Sequence, residues 1–197
     1  MTTATLQTPS TTQQRAVIFH GYGATPEDHW FGWLAEQLEA ENISTAIPAL
    51  QSPLDPCAVQ WENNVRSALK QPNEHTIAIA HSLGCLSVLR YLRSLPGSWR
   101  LGTLVLVSGF IDRLPILPEL NDFIGDGCDL TGFSEHIDRI VVIRSDNDSI
   151  VPPTYTDDLA GRLGVSAQVV IGAGHFLADE GIIELPHVRD TILSLRK

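Results

Sequence analysis

A doubly wound α/β fold on a mostly parallel sheet of about six strands is the architecture this sequence predicts. Three observations carry that expectation. Short runs with β character alternate with longer stretches of helical periodicity along nearly the whole chain. Several strand candidates are almost continuously apolar, as strands are when helices cover both faces of their sheet. The chain has 197 residues, 43% of them hydrophobic, enough for one sizeable core but not obviously for two. The expected organisation is a flexible tail over residues 1–14, rich in Thr and Gln, followed by a single domain over 15–197.

The first strand is "RAVIFH", residues 15–20. It runs into the glycine-bearing turn "HGYGATP", after which a helix is expected over 30–41. Trp30 and Trp33 lie three apart there and share a face, which predicts core packing. "ISTAIP" (43–48) is the second strand, and the helix over 57–70 carries Trp61 inward. "HTIAIAH" (75–81) is the third strand, and helical periodicity resumes over 83–95, directly after Ser82. "GTLVLVS" (102–108) is the fourth. The rhythm then breaks. Residues 109–138 form an irregular insertion with two prolines, three glycines after Gly109 and no clean amphipathic repeat. It reads either as a lid or binding loop, or as a crossover with one short helix around 117–124. "RIVVIRS" (139–145), a helix over 154–163, "AQVVIG" (167–172) and a last helix near 181–195 complete the alternation.

Bulk properties remove several classes of function. A formal charge of −10, with Lys and Arg scattered singly, argues against nucleic acid or an anionic membrane as partner. No apolar run approaches the roughly 18–20 residues of a membrane span. The N-terminus has neither the basic nor the apolar region of a secretory signal. Cys57, Cys85 and Cys128 are an odd number with no C-x-x-C pair and no zinc spacing, so free thiols in a reducing compartment are expected. A cytoplasmic protein without metal or cofactor follows as the expectation.

In an open α/β sheet, functional side chains gather at the carboxyl ends of the strands. Three such ends carry reactive groups here: Ser82 after the third strand, Asp146 and Asp148 in "SDNDSIVP" (145–152), and His175 in "GAGHF" (172–176). A serine hydroxyl is a weak nucleophile until a base takes its proton. An imidazole does so near neutral pH, and a carboxylate fixes its tautomer and stabilises the cation formed. The chain order Ser, Asp, His is that of α/β-hydrolases. Ser82 taken alone reads as a helix N-cap. With the other two loops it reads as a nucleophile at a tight strand-to-helix turn, flanked by the small residues Ala80 and Gly84. Among the histidines at strand ends, His81 immediately precedes the serine and should point away from the hydroxyl. His20 opens the turn after the first strand, so only His175 lies on the last loop of the sheet. Of the two acids, Asp148 is favoured, because "DSIVP" resembles the Asp-x-x-Val-Pro run of many α/β-hydrolases; Asp146 is the alternative. The oxyanion donors expected are the backbone N–H groups of Leu83, at the helix start, and Tyr22, in the first loop. Gly21 and Gly23 do not make a dinucleotide fingerprint, since Pro26 stands in the third position. Cys85 lacks a paired base, so burial is its expected fate.

The stretches "HGYGATPEDHWFGWL", "PCAVQWENNV", "AHSLGC", "SDNDSIVP" and "GAGHF" together resemble the RBBP9/YdeN family of small serine hydrolases, across nearly the whole chain after residue 15. The resemblance implies a compact α/β-hydrolase with Ser82 as nucleophile, His175 as base and Asp148 as acid, cleaving small carboxylic esters. Ala80 departs from the family's usual glycine, and the insertion is longer than a minimal member needs. Thioester or peptide cleavage stays open within the enzyme class. The resemblance also leaves room for a protein partner, so the rival reading is a protein-binding module on a hydrolase fold.

Overall fold

The computed structural model describes residues 13–194. The tail expected over residues 1–14 lies outside them, except for its last two residues. In chain order the regular elements are β1 (Arg15–Phe19), α1 (Phe31–Ala40), β2 (Ser44–Ala46), α2 (Ala58–Leu69), β3 (Thr76–His81) and α3 (Leu83–Arg93). They continue with β4 (Leu101–Val107), α4 (Asn121–Ile124), β5 (Ile137–Ser145), α5 (Pro153–Arg162), β6 (Gln168–Val170) and α6 (Pro186–Ser194). The strands form one sheet in the order β2-β1-β3-β4-β5-β6. Every pairing is parallel, so the sheet is parallel throughout and not only mostly so.

The continuous apolar runs are explained by two cores, one on each face of the sheet. Along β1, Val17 and Phe19 face one core while Ala16 and Ile18 face the other. Along β3, Ala78 and Ala80 point to the first core and Ile77 and Ile79 to the second. The first core gathers α2, α3 and α5 through Trp61, Leu86, Leu89 and Leu159; the second gathers α1 and α6 through Phe31, Leu34 and Val188. Small residues on the α3 side of β3 let that helix lie close to the strand, which matters for the turn between them. Leu86 and Leu89 are fully buried, each stabilising by about 1.5–3 kcal/mol relative to exposure.

One local expectation is corrected, one is met in part, and one choice between alternatives is decided. The last helix begins at Pro186, not near 181, because residues Ala178–Glu180 form a separate 3-10 turn closed by Gly181 at φ 85°. Proline, whose missing N–H is harmless at the first helical position, then opens the helix proper. Trp30 is fully buried, and Trp33, half-buried, packs against the second core with the Arg189 guanidinium 5.4 Å from its ring centroid. The insertion is a packed crossover, with 3-10 turns at Pro118–Leu120 and Phe133–Glu135 on either side of α4. Phe110, Leu114, Leu120 and Ile124 enter the first core. Arg90 of α3 donates to the carbonyls of Phe123 (2.7 Å), Ile124 (2.5 Å) and Gly127 (3.1 Å), a cation closing the carbonyl end of α4. Among the described residues no helix is long and apolar enough to cross a membrane.

Candidate active site

One residue, Ser82, separates β3 from α3, and its backbone takes φ 53° and ψ −127°. Positive φ is uncommon for a residue with a Cβ and costs on the order of 1–3 kcal/mol, so the surroundings must impose it. They do. The Ser82 N–H donates to the Val107 carbonyl (2.9 Å), and the Ser82 carbonyl accepts from the Cys85 N–H (3.0 Å). The turn is closed in by backbone from the first loop. A Cβ on Gly84 would lie 2.3 Å from the His20 oxygen, and one on Gly21 would lie 2.8 Å from the Ser82 Cβ. Gly84 is therefore required by space, while Ala80 sits within the strand with its methyl accommodated.

From this turn the Ser82 hydroxyl donates to His175 Nε2 (2.9 Å), and His175 Nδ1–H donates to Asp148 Oδ2 (2.8 Å). Ser82, Asp148 and His175 are all buried, at 6%, 6% and 4% exposure, so the series lies largely out of bulk water. Asp148 is held on all sides. Its Oδ1 accepts from the amides of Ile150 (2.9 Å) and Val151 (2.8 Å), and its Oδ2 also accepts from the Ser108 hydroxyl (2.8 Å). Asp146 has a different role: its Oδ1 accepts from the Gly172 amide (2.7 Å), helping to seat the loop that carries His175. Ser145 and Asn147 do the same for Ala173 (3.1 Å) and Gly174 (2.8 Å), and Glu180 accepts from the amides of His175 (2.7 Å) and Leu177 (3.0 Å).

The other histidines support this arrangement. His81 points away from the Ser82 hydroxyl and donates from Nε2 to the His175 carbonyl (2.9 Å), while its buried Nδ1 has no partner among the described residues. Burial, and then the neighbouring His175, push the His81 pKa well below the ordinary histidine value, so this ring is neutral. His20 Nδ1–H donates to the Gly21 carbonyl (2.9 Å) and its Nε2 accepts from the Leu50 amide (2.9 Å), which shapes the first loop. Burial lowers its pKa too. Cys85 is fully buried and its thiol pKa is pushed up by that burial, so it is no nucleophile.

Leu83 is the first residue of α3, so its amide has no intrahelical acceptor. The Tyr22 amide likewise donates to no acceptor among the described residues. A cavity of about 240 Å³ opens beside the hydroxyl and the imidazole, lined by Tyr22, Ser82, Ile116, Leu117, Leu120, Ile150, His175 and Leu177. Chemically, the set offers a hydroxyl beside a base, a base beside a carboxylate, two spare amides and an apolar recess. No group of three or more His, Cys, Asp or Glu among the described residues is placed to hold a metal ion. The sequence points to the 109–138 insertion, which supplies Ile116, Leu117 and Leu120 to the cavity, but not to Ser108 or Glu180. Ser108 stands at the carboxyl end of β4, and that strand-end position is the signal that could have found it. Glu180 left no comparable signal, since it follows no period.

Comparison with known proteins bears on the family and the fold. A family model described as "Serine hydrolase" matches residues 16–194. YdeN of Bacillus subtilis (strain 168) is 36% identical over 181 residues, covering 92% of this chain and 95% of that protein. The crystal structure of the ydeN gene product superposes with a TM-score of 0.88, over 92% of this chain and 98% of the other. Two more distant structures share the fold alone. An alpha-beta serine hydrolase homologue from Coxiella burnetii has TM-score 0.64 at 14% identity, covering 93% and 85% of the two chains. Est1E from Butyrivibrio proteoclasticus has TM-score 0.65 at 14% identity, covering 93% and 88%. This chain thus has the α/β-hydrolase fold and belongs to the Serine hydrolase family.

Proposed function

We propose that this serine hydrolase cleaves small carboxylic esters through an acyl-enzyme, with Ser82 as nucleophile, His175 as general base and acid, and Asp148 as the carboxylate that orients the imidazole. The Ser82 Oγ attacks the ester carbonyl as its proton passes to His175 Nε2. The alcohol then leaves with that proton as the C–O bond breaks. Water repeats the sequence on the acyl-enzyme, releasing the acid and restoring Ser82. Asp148 holds the Nδ1 proton in place and stabilises the imidazolium. The amides of Leu83 and Tyr22 receive the oxyanion, each such donor being worth about 10²–10³ in kcat.

The observation that carries this reading is the unbroken Ser82–His175–Asp148 hydrogen-bonded series at 2.9 and 2.8 Å. The test is Ser82→Ala, assayed on p-nitrophenyl acetate and by a fluorophosphonate probe. Loss of both hydrolysis and labelling, with an unchanged circular dichroism spectrum, is expected. Retained turnover or labelling in the variant would sink the mechanism. Failure of the folded wild-type chain to react with probe or ester would instead favour a binding protein.

A further inference from the structure

The geometry points to a preformed acyl-chain pocket, built from the 109–138 crossover, that makes this enzyme selective for esters of straight, uncharged aliphatic acids of about four to eight carbons. The inference rests on the serine-hydrolase mechanism proposed above and goes further, because it assigns the substrate class to particular walls. Ser82 and His175 are part of the lining of the 240 Å³ cavity. The rest of its lining is Tyr22 and five branched aliphatic side chains, Ile116, Leu117, Leu120, Ile150 and Leu177. No carboxylate, ammonium or guanidinium group is among them, so a charged acyl group would lose its hydration with nothing in exchange. A methylene is close to a water in size, and at about 30 Å³ each the volume holds roughly eight such groups.

Two features turn this recess into a length gauge. Leu120 is 2% exposed and Ile116 is 58% exposed, so the crossover supplies both a buried wall and an open rim. The wall is also fixed: Arg90 reaches from α3 to three carbonyls at the end of α4, and Leu120, immediately before α4, is anchored in the core. A fixed apolar recess rewards each methylene that enters it and nothing beyond its end. Each buried methylene then raises kcat/KM by about threefold to fourfold. The acyl side is assigned because that part of the substrate stays bonded to Ser82 after the alcohol has gone. A chain seated beside Ser82 is therefore held through both half-reactions.

The test is a series of p-nitrophenyl esters from acetate to decanoate, run beside straight-chain alkyl acetates and a succinate half-ester. The expected profile rises about 80- to 250-fold from acetate to hexanoate and falls beyond octanoate. Leu117→Trp, filling the recess, should lower the hexanoate-to-acetate ratio at least tenfold, and Leu120→Ala should move the optimum to longer acids. If either variant fails to fold, the wild-type profile decides by itself. A flat profile, an optimum at acetate, a preference for the succinate, or selectivity that follows the alcohol overturns the acyl pocket. Fluorophosphonate labelling of Ser82 separates that outcome from failure of the mechanism: a labelled enzyme with a flat profile refutes the pocket alone, and an unlabelled, inert, folded chain refutes both.

Discussion

Replacing Gly84 by alanine tests whether the strand-to-helix turn is held by backbone contact. The added Cβ would stand 2.3 Å from the His20 oxygen, 3.1 Å from the Phe19 oxygen and 3.2 Å from the His20 carbonyl carbon. All three are main-chain atoms, one in the last residue of β1 and two in the residue that follows it, so no side chain can rotate to make room. Relieving the contact requires α3 and the His20–Tyr22 loop to part by roughly 1 Å, and overpacking of this kind costs about 1–3 kcal/mol. For a chain of this length that lowers Tm by roughly 2–12 °C. Activity should suffer more than stability does. The displaced segments carry the Leu83 and Tyr22 amides, and a 1 Å misplacement of groups aimed at a transition state costs about 10²-fold. Thermal melts and kcat/KM on p-nitrophenyl butyrate measure the two effects. A Gly84→Ala protein with wild-type Tm and kcat/KM would refute the claim that close packing shapes the turn.

Other perturbations separate the polar groups. Asp148→Asn should lower kcat by about 10⁴, the size of effect known when a triad carboxylate is neutralised, because the amide favours the wrong imidazole tautomer; Asp146→Asn should reduce kcat far less, and equal losses would reassign the acid. Ser108→Ala removes a buried hydrogen bond to the Asp148 carboxylate and should reduce unfolding free energy by about 1.5–3 kcal/mol in urea melts, with a smaller loss of kcat than Asp148→Asn. No change in stability would show that this hydroxyl is idle. His81 is neutral in the fold but takes up a proton when unfolded, so the unfolded state binds more protons below the unfolded pKa of about 6.5. Its contribution is complete above that pH and is lost as pH falls toward the folded value, at up to about 1.4 kcal/mol per pH unit. Urea midpoints at pH 7.5, 6.0 and 5.0 should therefore decline, and a flat series would contradict the buried neutral ring.

Much of this molecule is legible in the sequence, for identifiable reasons. β1, β3 and β4 can be read because they are buried on both faces, which makes their runs apolar throughout. Ser82, Asp148 and His175 could be singled out because each sits in a loop at the carboxyl end of the sheet, where few reactive side chains compete. The choice between Asp146 and Asp148 was harder. They are two residues apart, and which one faces the imidazole depends on the Ile150 and Val151 amides that turn the loop around Asp148. Trp33 packs against the second core but is only half-buried, because helical spacing sets a shared face and not how far α6 extends over it. The break in rhythm at 109–138 marks the segment that supplies three of the cavity walls, but not which of its residues line the recess. Those walls come from a crossover whose order is imposed by Arg90 and by burial, not by a repeating period.

Arg90 also bears on the timing of turnover. Its guanidinium is committed to three carbonyls, so the wall beside Ser82 stands ready before any substrate arrives. On the acyl-enzyme mechanism proposed above, turnover would then reflect bond-making and the departure of products, with water reaching the acyl group from the rim.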